Sequence, residues 1–126
     1  MKPTNFTIGV VGVCGSGKSE LVSRLRKRGY KTHHIAQEHS HVPSMWQKIV
    51  NPDILIFLEV SFPLTKKRKG FNWKRKEYQE QLRRLHHAIS HADLRINTDE
   101  LSPKDISNQV LMYIDTSKKT PKCSSN

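Results

Sequence analysis

Residues 12–19 read Gly-Val-Cys-Gly-Ser-Gly-Lys-Ser, and no other stretch limits the fold as tightly. The pattern is a glycine, four residues, Gly-Lys, then a hydroxyl residue, which is the arrangement that cradles a phosphate. Its flanks match that chemistry. Phe6 to Val13 is apolar and β-branched, as a strand buried on both faces must be. Lys18 to Arg28 then places Leu21, Val22 and Leu25 on one side and Arg24, Lys27 and Arg28 on the other, a helical period that Gly29 closes. A strand, a glycine turn and a helix start in this order aim backbone N–H groups and a positive dipole end at one point. The expected phosphate contacts are Gly12, Val13, Cys14, Gly15, Ser16, Gly17, Lys18 and Ser19. Lys18 is expected at the β- and γ-phosphates of ATP, and the Ser19 hydroxyl on Mg²⁺. Cys14 has two readings: a small filler, or a thiol made reactive by the helix start whose modification blocks entry.

Strand and helix signals alternate along the rest of the chain. Tyr30 to Ala36 reads as a second strand, and residues 41–50 as a short helix with Pro43 near its start. Ile54 to Val60 is the strongest strand signal. Pro63 to Gly70 is basic and reads as a frayed helix or a loop. Asn72 to Ala92 reads as a helix burying Tyr78, Leu82, Leu85, Ile89 and Ala92. Asp93 to Asn97 is a short last strand. Ser102 supplies an N-cap before Pro103, opening a helix to about Asp115. The alternation predicts an α/β domain over residues 1–115 with a mainly parallel sheet of four strands, followed by a disordered basic tail over residues 116–126.

Metal chemistry at a phosphate loop needs a carboxylate nearby. Glu59 ends the apolar run Ile54 to Leu58, and Glu38 follows the second strand. Both lie at strand C-terminal ends, which face the crevice in doubly wound sheets. Glu38 reads as general base or metal ligand against an ordinary loop carboxylate. Glu59 reads as metal ligand against a strand-end acid bonded to neighbouring backbone. Asp53, ahead of its strand, reads as a turn residue. His87 and His91 are four apart and can share a metal on one helix face, but they lack a third ligand. Surface or capping roles suit the histidines better.

The phosphate loop, the Asn51 to Ser61 segment (NPDILIFLEVS) and the Ala92 to Ile114 segment (ADLRINTDELSPKDISNQVLMYI) together resemble the P-loop kinases that act on nucleosides and nucleotides. Asn51 to Ser61 is similar to the Pro-Asp, apolar strand and Leu-Asp-Val segment of thymidylate kinases, with Glu59 in place of the Asp. The resemblance implies a three-layer P-loop NTPase fold with strand order 2-1-3-4, a lid carrying the basic residues after that strand, and base-side contacts from Asn97, Thr98 and Asp99. Within a lid, Arg68 and Arg75 are the candidates for neutralising transition-state charge. The chain departs from these kinases between the second and third strands, where Gln37 to Asn51 is too short for a helical acceptor-binding domain. That leaves three readings: a phosphotransferase with a small phosphoryl acceptor, a regulatory module or slow NTPase, and an ATP-dependent nucleic-acid-binding protein. Met45 and Trp46 then either stack on a ring or pack into the core.

Charge bears on the partner. The chain of 126 residues carries a net charge of +11, of which +7 falls within residues 61–95. Lys66 to Lys76 holds seven basic side chains, interrupted by Phe71 and Trp73. A lid over a triphosphate, a stacking surface for single-stranded nucleic acid and a solvated charged face all suit that pattern. No apolar run approaches the ~20 residues of a membrane-spanning helix. With no secretory signal and only two cysteines, Cys14 and Cys123, a cytoplasmic setting is expected. Oligomeric state leaves no mark on the sequence.

Overall fold

The computed structural model describes residues 6–119, with side chains through residue 116. Strands β1 (Thr7–Gly12), β2 (Lys31–His34), β3 (Ile54–Glu59) and β4 (Leu94–Asn97) form one sheet in the order β2-β1-β3-β4. Every neighbouring pair is parallel. The expected order 2-1-3-4 is therefore the observed one, with the phosphate-loop strand inside the sheet. The helices are α1 (Lys18–Lys27), α2 (Met45–Ile49), α3 (Phe62–Lys69), α4 (Arg75–His91) and α5 (Pro103–Lys119), with a single 3-10 turn at Gln37–His39.

The alternation along β3 divides the core. Ile54, Ile56 and Leu58 face one way, with Ile8 and Val10, against Leu21 and Leu25 of α1 and Ile106, Val110 and Ile114 of α5. Leu55 and Phe57 face the other way, with Val11, against Leu85 and Ala88 of α4 and Trp46 of α2. Because both of their faces are covered, the central strands β1 and β3 are largely apolar, whereas the edge strands β2 and β4 carry polar residues. Trp46 is 4% exposed, so it fills the core. Its Nε1 donates to His87 Nδ1 at 3.0 Å, and the His87 and His91 rings stack 4.4 Å apart beside it.

Two aspartates fix the strands at their entry edge. Asp53 accepts the Thr7 N–H on its carboxylate at 2.8 Å, and Asp93 accepts the Leu55 N–H at the same distance. In return the Asp53 and Asp93 N–H groups donate to the carbonyls of Thr7 and Leu55. Each aspartate thus closes the ladder of the strand beside it and sets the register.

Three expectations are refined. Of the helix and loop readings for residues 63–70, the helix holds, and Trp73 folds back onto it, its Nε1 donating to Thr65 Oγ1 at 2.9 Å. The inner face of α4 holds the expected residues, with Leu85 buried and Tyr78, Leu82, Ile89 and Ala92 partly buried against the same core, and it also buries Gln81 and Ala88. Helix α5 passes Asp115 and runs to Lys119, so the expected tail is helical where it begins. Its remainder lies outside the described residues. Ser102 caps this helix as expected, its Oγ accepting the Asp105 N–H while Asp105 Oδ2 accepts the Ser102 N–H. Among the described residues no helix is long and apolar enough to cross a membrane.

Candidate functional site

The loop from Val13 to Gly17 leaves the C-terminal edge of β1 and turns into α1. Gly15 and Gly17 hold φ of 84° and 98°, a region open to glycine and strained for other residues. Gly12 has a different constraint, since a Cβ there would lie 2.9 Å from the Leu58 carbonyl oxygen. The glycines thus allow the loop to close over β3 and to turn into α1.

Lys18 is 5% exposed, and its ammonium is held at the loop by three acceptors. Its Nζ donates to the carbonyls of Gly12 at 2.8 Å and Val13 at 3.1 Å, and pairs with Glu38 Oε2 at 3.0 Å. Glu38 is 2% exposed, carried there by the 3-10 turn that follows β2. Its second oxygen, Oε1, is buried without a hydrogen-bond partner, and so is Ser16 Oγ. A buried acceptor left unpaired costs free energy, so these atoms mark where a ligand has something to gain. The ammonium also acts on its surroundings. Burial, and then the Lys18 charge, lower the His34 pKa below its usual 6.5.

The structure gathers some of the expected residues and separates others. Arg68 of α3 reaches across the loop and donates from its guanidinium to the Gly15 carbonyl. Arg75 instead lies 4.6 Å over the Phe62 ring, at the start of α4. Ser19 is exposed on the first turn of α1. Glu59 has a half-exposed side chain that pairs with the Arg95 guanidinium 3.9 Å away. Thr98 is buried, and both its N–H and its hydroxyl donate to the Glu59 carbonyl. Asp99 Oδ1 accepts the Ser61 N–H, and Asn97 Oδ1 accepts the Asp99 N–H.

A cavity of about 400 Å³ opens between the loop and α5, lined by Gly15, Ser16, Gly17, Glu20, Leu21, Arg68, Leu101, Pro103 and Ile106. Asn97 and Asp99 line a separate cavity of about 470 Å³. The sequence reading did not single out Leu101, Pro103 or Ile106, because they look like an ordinary helix entry. It also missed Gln81. Cys14 N–H donates to Gln81 Oε1 at 2.9 Å, and Gln81 Nε2 donates to Cys14 Sγ at 3.3 Å. A glutamine on the apolar face of α4 was the available signal, since a buried amide needs partners.

The basic segment is less free than its sequence suggests. Trp73 is 7% exposed, whereas Phe71 is 79% exposed, so only one of the two interleaved rings offers a face. Lys66 Nζ donates to the carbonyls of Phe71 and Trp73, and Lys69 Nζ sits 5.4 Å from the Trp73 ring.

No protein-family model matches the chain, and no curated protein matches it. Among solved structures, a thymidylate kinase from Candida albicans superposes with a TM-score of 0.59 at 15% identity. The match covers 91% of this chain and 93% of that one. With its parallel sheet in the order β2-β1-β3-β4 and the glycine loop at the edge of β1, the chain has a kinase-like P-loop fold.

Proposed function

We propose that the chain binds ATP with Mg²⁺ at this loop and transfers a phosphoryl group to a small acceptor. The observation that carries this reading is Lys18. A buried ammonium whose one ionic partner in the structure is a carboxylate sits at the mouth of a glycine loop. A triphosphate offers Lys18 stronger anionic partners than the backbone carbonyls it now holds. Glu38 is then released with an already unpartnered oxygen.

The residues present fit both groups. The helix start and the loop N–H groups suit phosphate oxygens, and the oxygen donors Ser19 and Glu38 suit a hard dication. The cavity beside Leu101, Pro103 and Ile106 has apolar walls for a base. Held by Ser19 and Glu38, Mg²⁺ would supply neutralisation of the phosphate charge. Within the chain, Lys18 stabilises charge on the transferred group, and Arg68 closes over it from α3. Glu38 takes the proton of the acceptor hydroxyl or helps to hold the metal. The thymidylate kinase likeness supports the same class of chemistry.

A second reading, a nucleotide-binding regulatory module or slow NTPase, is favoured by one observation. Between β2 and β3 the chain has only the 3-10 turn and the five-residue helix α2, which leaves little to hold an acceptor. The nucleic-acid reading needs stacking rings, and burial of Trp73 weakens it. Incubating the protein with γ-labelled ATP and a panel of nucleosides and nucleotides separates these readings. Label transfer to one acceptor class is the expected result. Tight ATP binding with no transfer to any acceptor contradicts the phosphotransferase reading and leaves the regulatory one.

A further inference from the structure

Three chemically unlike side chains converge on the outer side of the phosphate loop: Cys14 from the loop, and Glu38 and His39 from the 3-10 turn after β2. Cys14 Sγ lies 3.4 Å from His39 Nε2, and His39 Nε2 lies 3.6 Å from Glu38 Oε2. One donor atom from each of the three falls within 4.8 Å of the others.

The Cys14–His39 and His39–Glu38 separations are those a tetrahedral zinc ion requires. Thiolate at about 2.3 Å and imidazole or carboxylate at about 2.0–2.2 Å place ligand atoms roughly 3.3–3.6 Å apart. A second observation points to a ligand. Glu38 is 2% exposed, yet its Oε1 has no hydrogen-bond partner, while Oε2 is occupied by Lys18. The oxygen that lies near His39 is Oε2, so a metal here shares the carboxylate with the Lys18 ammonium, while Oε1 adds a second acceptor with no partner of its own. The thiol is also held from behind. Gln81 bonds both the Cys14 N–H and Sγ, which fixes the sulfur in place.

We propose that Cys14, Glu38 and His39 form a three-ligand site for a thiophilic divalent cation, Zn²⁺ by the softness of its donors, with the fourth position open. Metal there ties the phosphate loop to the turn after β2 and engages Glu38, the carboxylate also proposed for the nucleotide chemistry. Binding displaces the thiol proton to solvent. The nearby Lys18 ammonium opposes the dication, so removing it tightens the site.

Cobalt(II) titration of the full chain tests this, because a thiolate-to-cobalt absorption band reports the sulfur directly and imidazoles elsewhere are silent. Cys123→Ser serves as background, so that Cys14 is the one thiol. The expected result is a band that saturates at one equivalent and is removed by added Zn²⁺. Cys14→Ser abolishes it. His39→Ala, whose side chain is 57% exposed and so leaves packing intact, weakens cobalt affinity at least tenfold. Lys18→Ala keeps the band and tightens it. Absence of the band, or a band that survives Cys14→Ser in that background, overturns the site. The nucleotide reading is judged separately: an intact cobalt band in a protein that does not bind MgATP overturns that reading and leaves the metal site standing.

Discussion

At the scale of single residues, the ion pair of Lys18 and Glu38 is the decisive feature. Both side chains are almost wholly buried, and their oxygens and nitrogen meet at 3.0 Å. Burying two charges is costly, and breaking such a pair by removing one partner costs about 3–5 kcal/mol. Folding for stability alone would favour apolar residues here, so the pair points to a task that needs an ammonium and a carboxylate side by side. Glu38→Gln keeps the shape and an acceptor but removes the charge. The expected outcome is a loss of about 3 kcal/mol in urea unfolding, the low end of that range. Added MgATP restores more stability to the variant than to the native chain, because phosphate supplies the missing anion to Lys18. Phosphoryl transfer falls while ATP binding persists. If binding and transfer fall together, Glu38 acts by holding the loop rather than in the reaction.

At the scale of elements, the two ends of the sheet do different things. The C-terminal ends of the strands carry the loop, Glu38 and the 400 Å³ cavity. The opposite ends carry Asp53 and Asp93, which close the ladders of Thr7 and Leu55. Asp93→Ala leaves the Leu55 N–H without its side-chain acceptor and is expected to lower stability by about 1–3 kcal/mol. ATP affinity of the folded variant stays unchanged, and paired urea and binding titrations check both. A fall in affinity at full folding would mean the two ends are coupled. The same division explains what was legible in the sequence. The phosphate loop, the strands beside it and the cap at Ser102 are local patterns, so residue order alone reveals them. The contact of Arg68 with the Gly15 carbonyl and the Gln81 clamp on Cys14 join residues far apart in sequence. Composition marks Arg68 as one cation among many and cannot separate it from Arg75, which packs on Phe62. Gln81 was hidden for another reason: the apolar residues of α4 define a stripe wide enough to take in a neighbouring position, and the glutamine is buried beside the partly buried Leu82. Trp73 likewise reads as an exposed ring until Thr65 is seen to hold its N–H.

At the scale of the whole molecule, a small sheet clad on both faces supports one crevice edge, and +7 of the net charge of +11 falls within residues 61–95, which bring Arg68 to the loop. The segment between β2 and β3 is reduced to a turn and α2, yet that turn delivers both Glu38 and His39 to the loop. What the chain lacks in acceptor-binding structure is thus offset by a dense set of functional groups around Lys18. Everything proposed for the nucleotide rests on that lysine meeting a triphosphate. The most direct measurement is calorimetric titration of MgATP into the native chain and into Lys18→Ala, with folding of both checked by circular dichroism. Saturable one-to-one binding by the native chain, lost or weakened at least a hundredfold in folded Lys18→Ala, is the expected result. Equal binding by the two proteins, or no binding by the native chain, contradicts it.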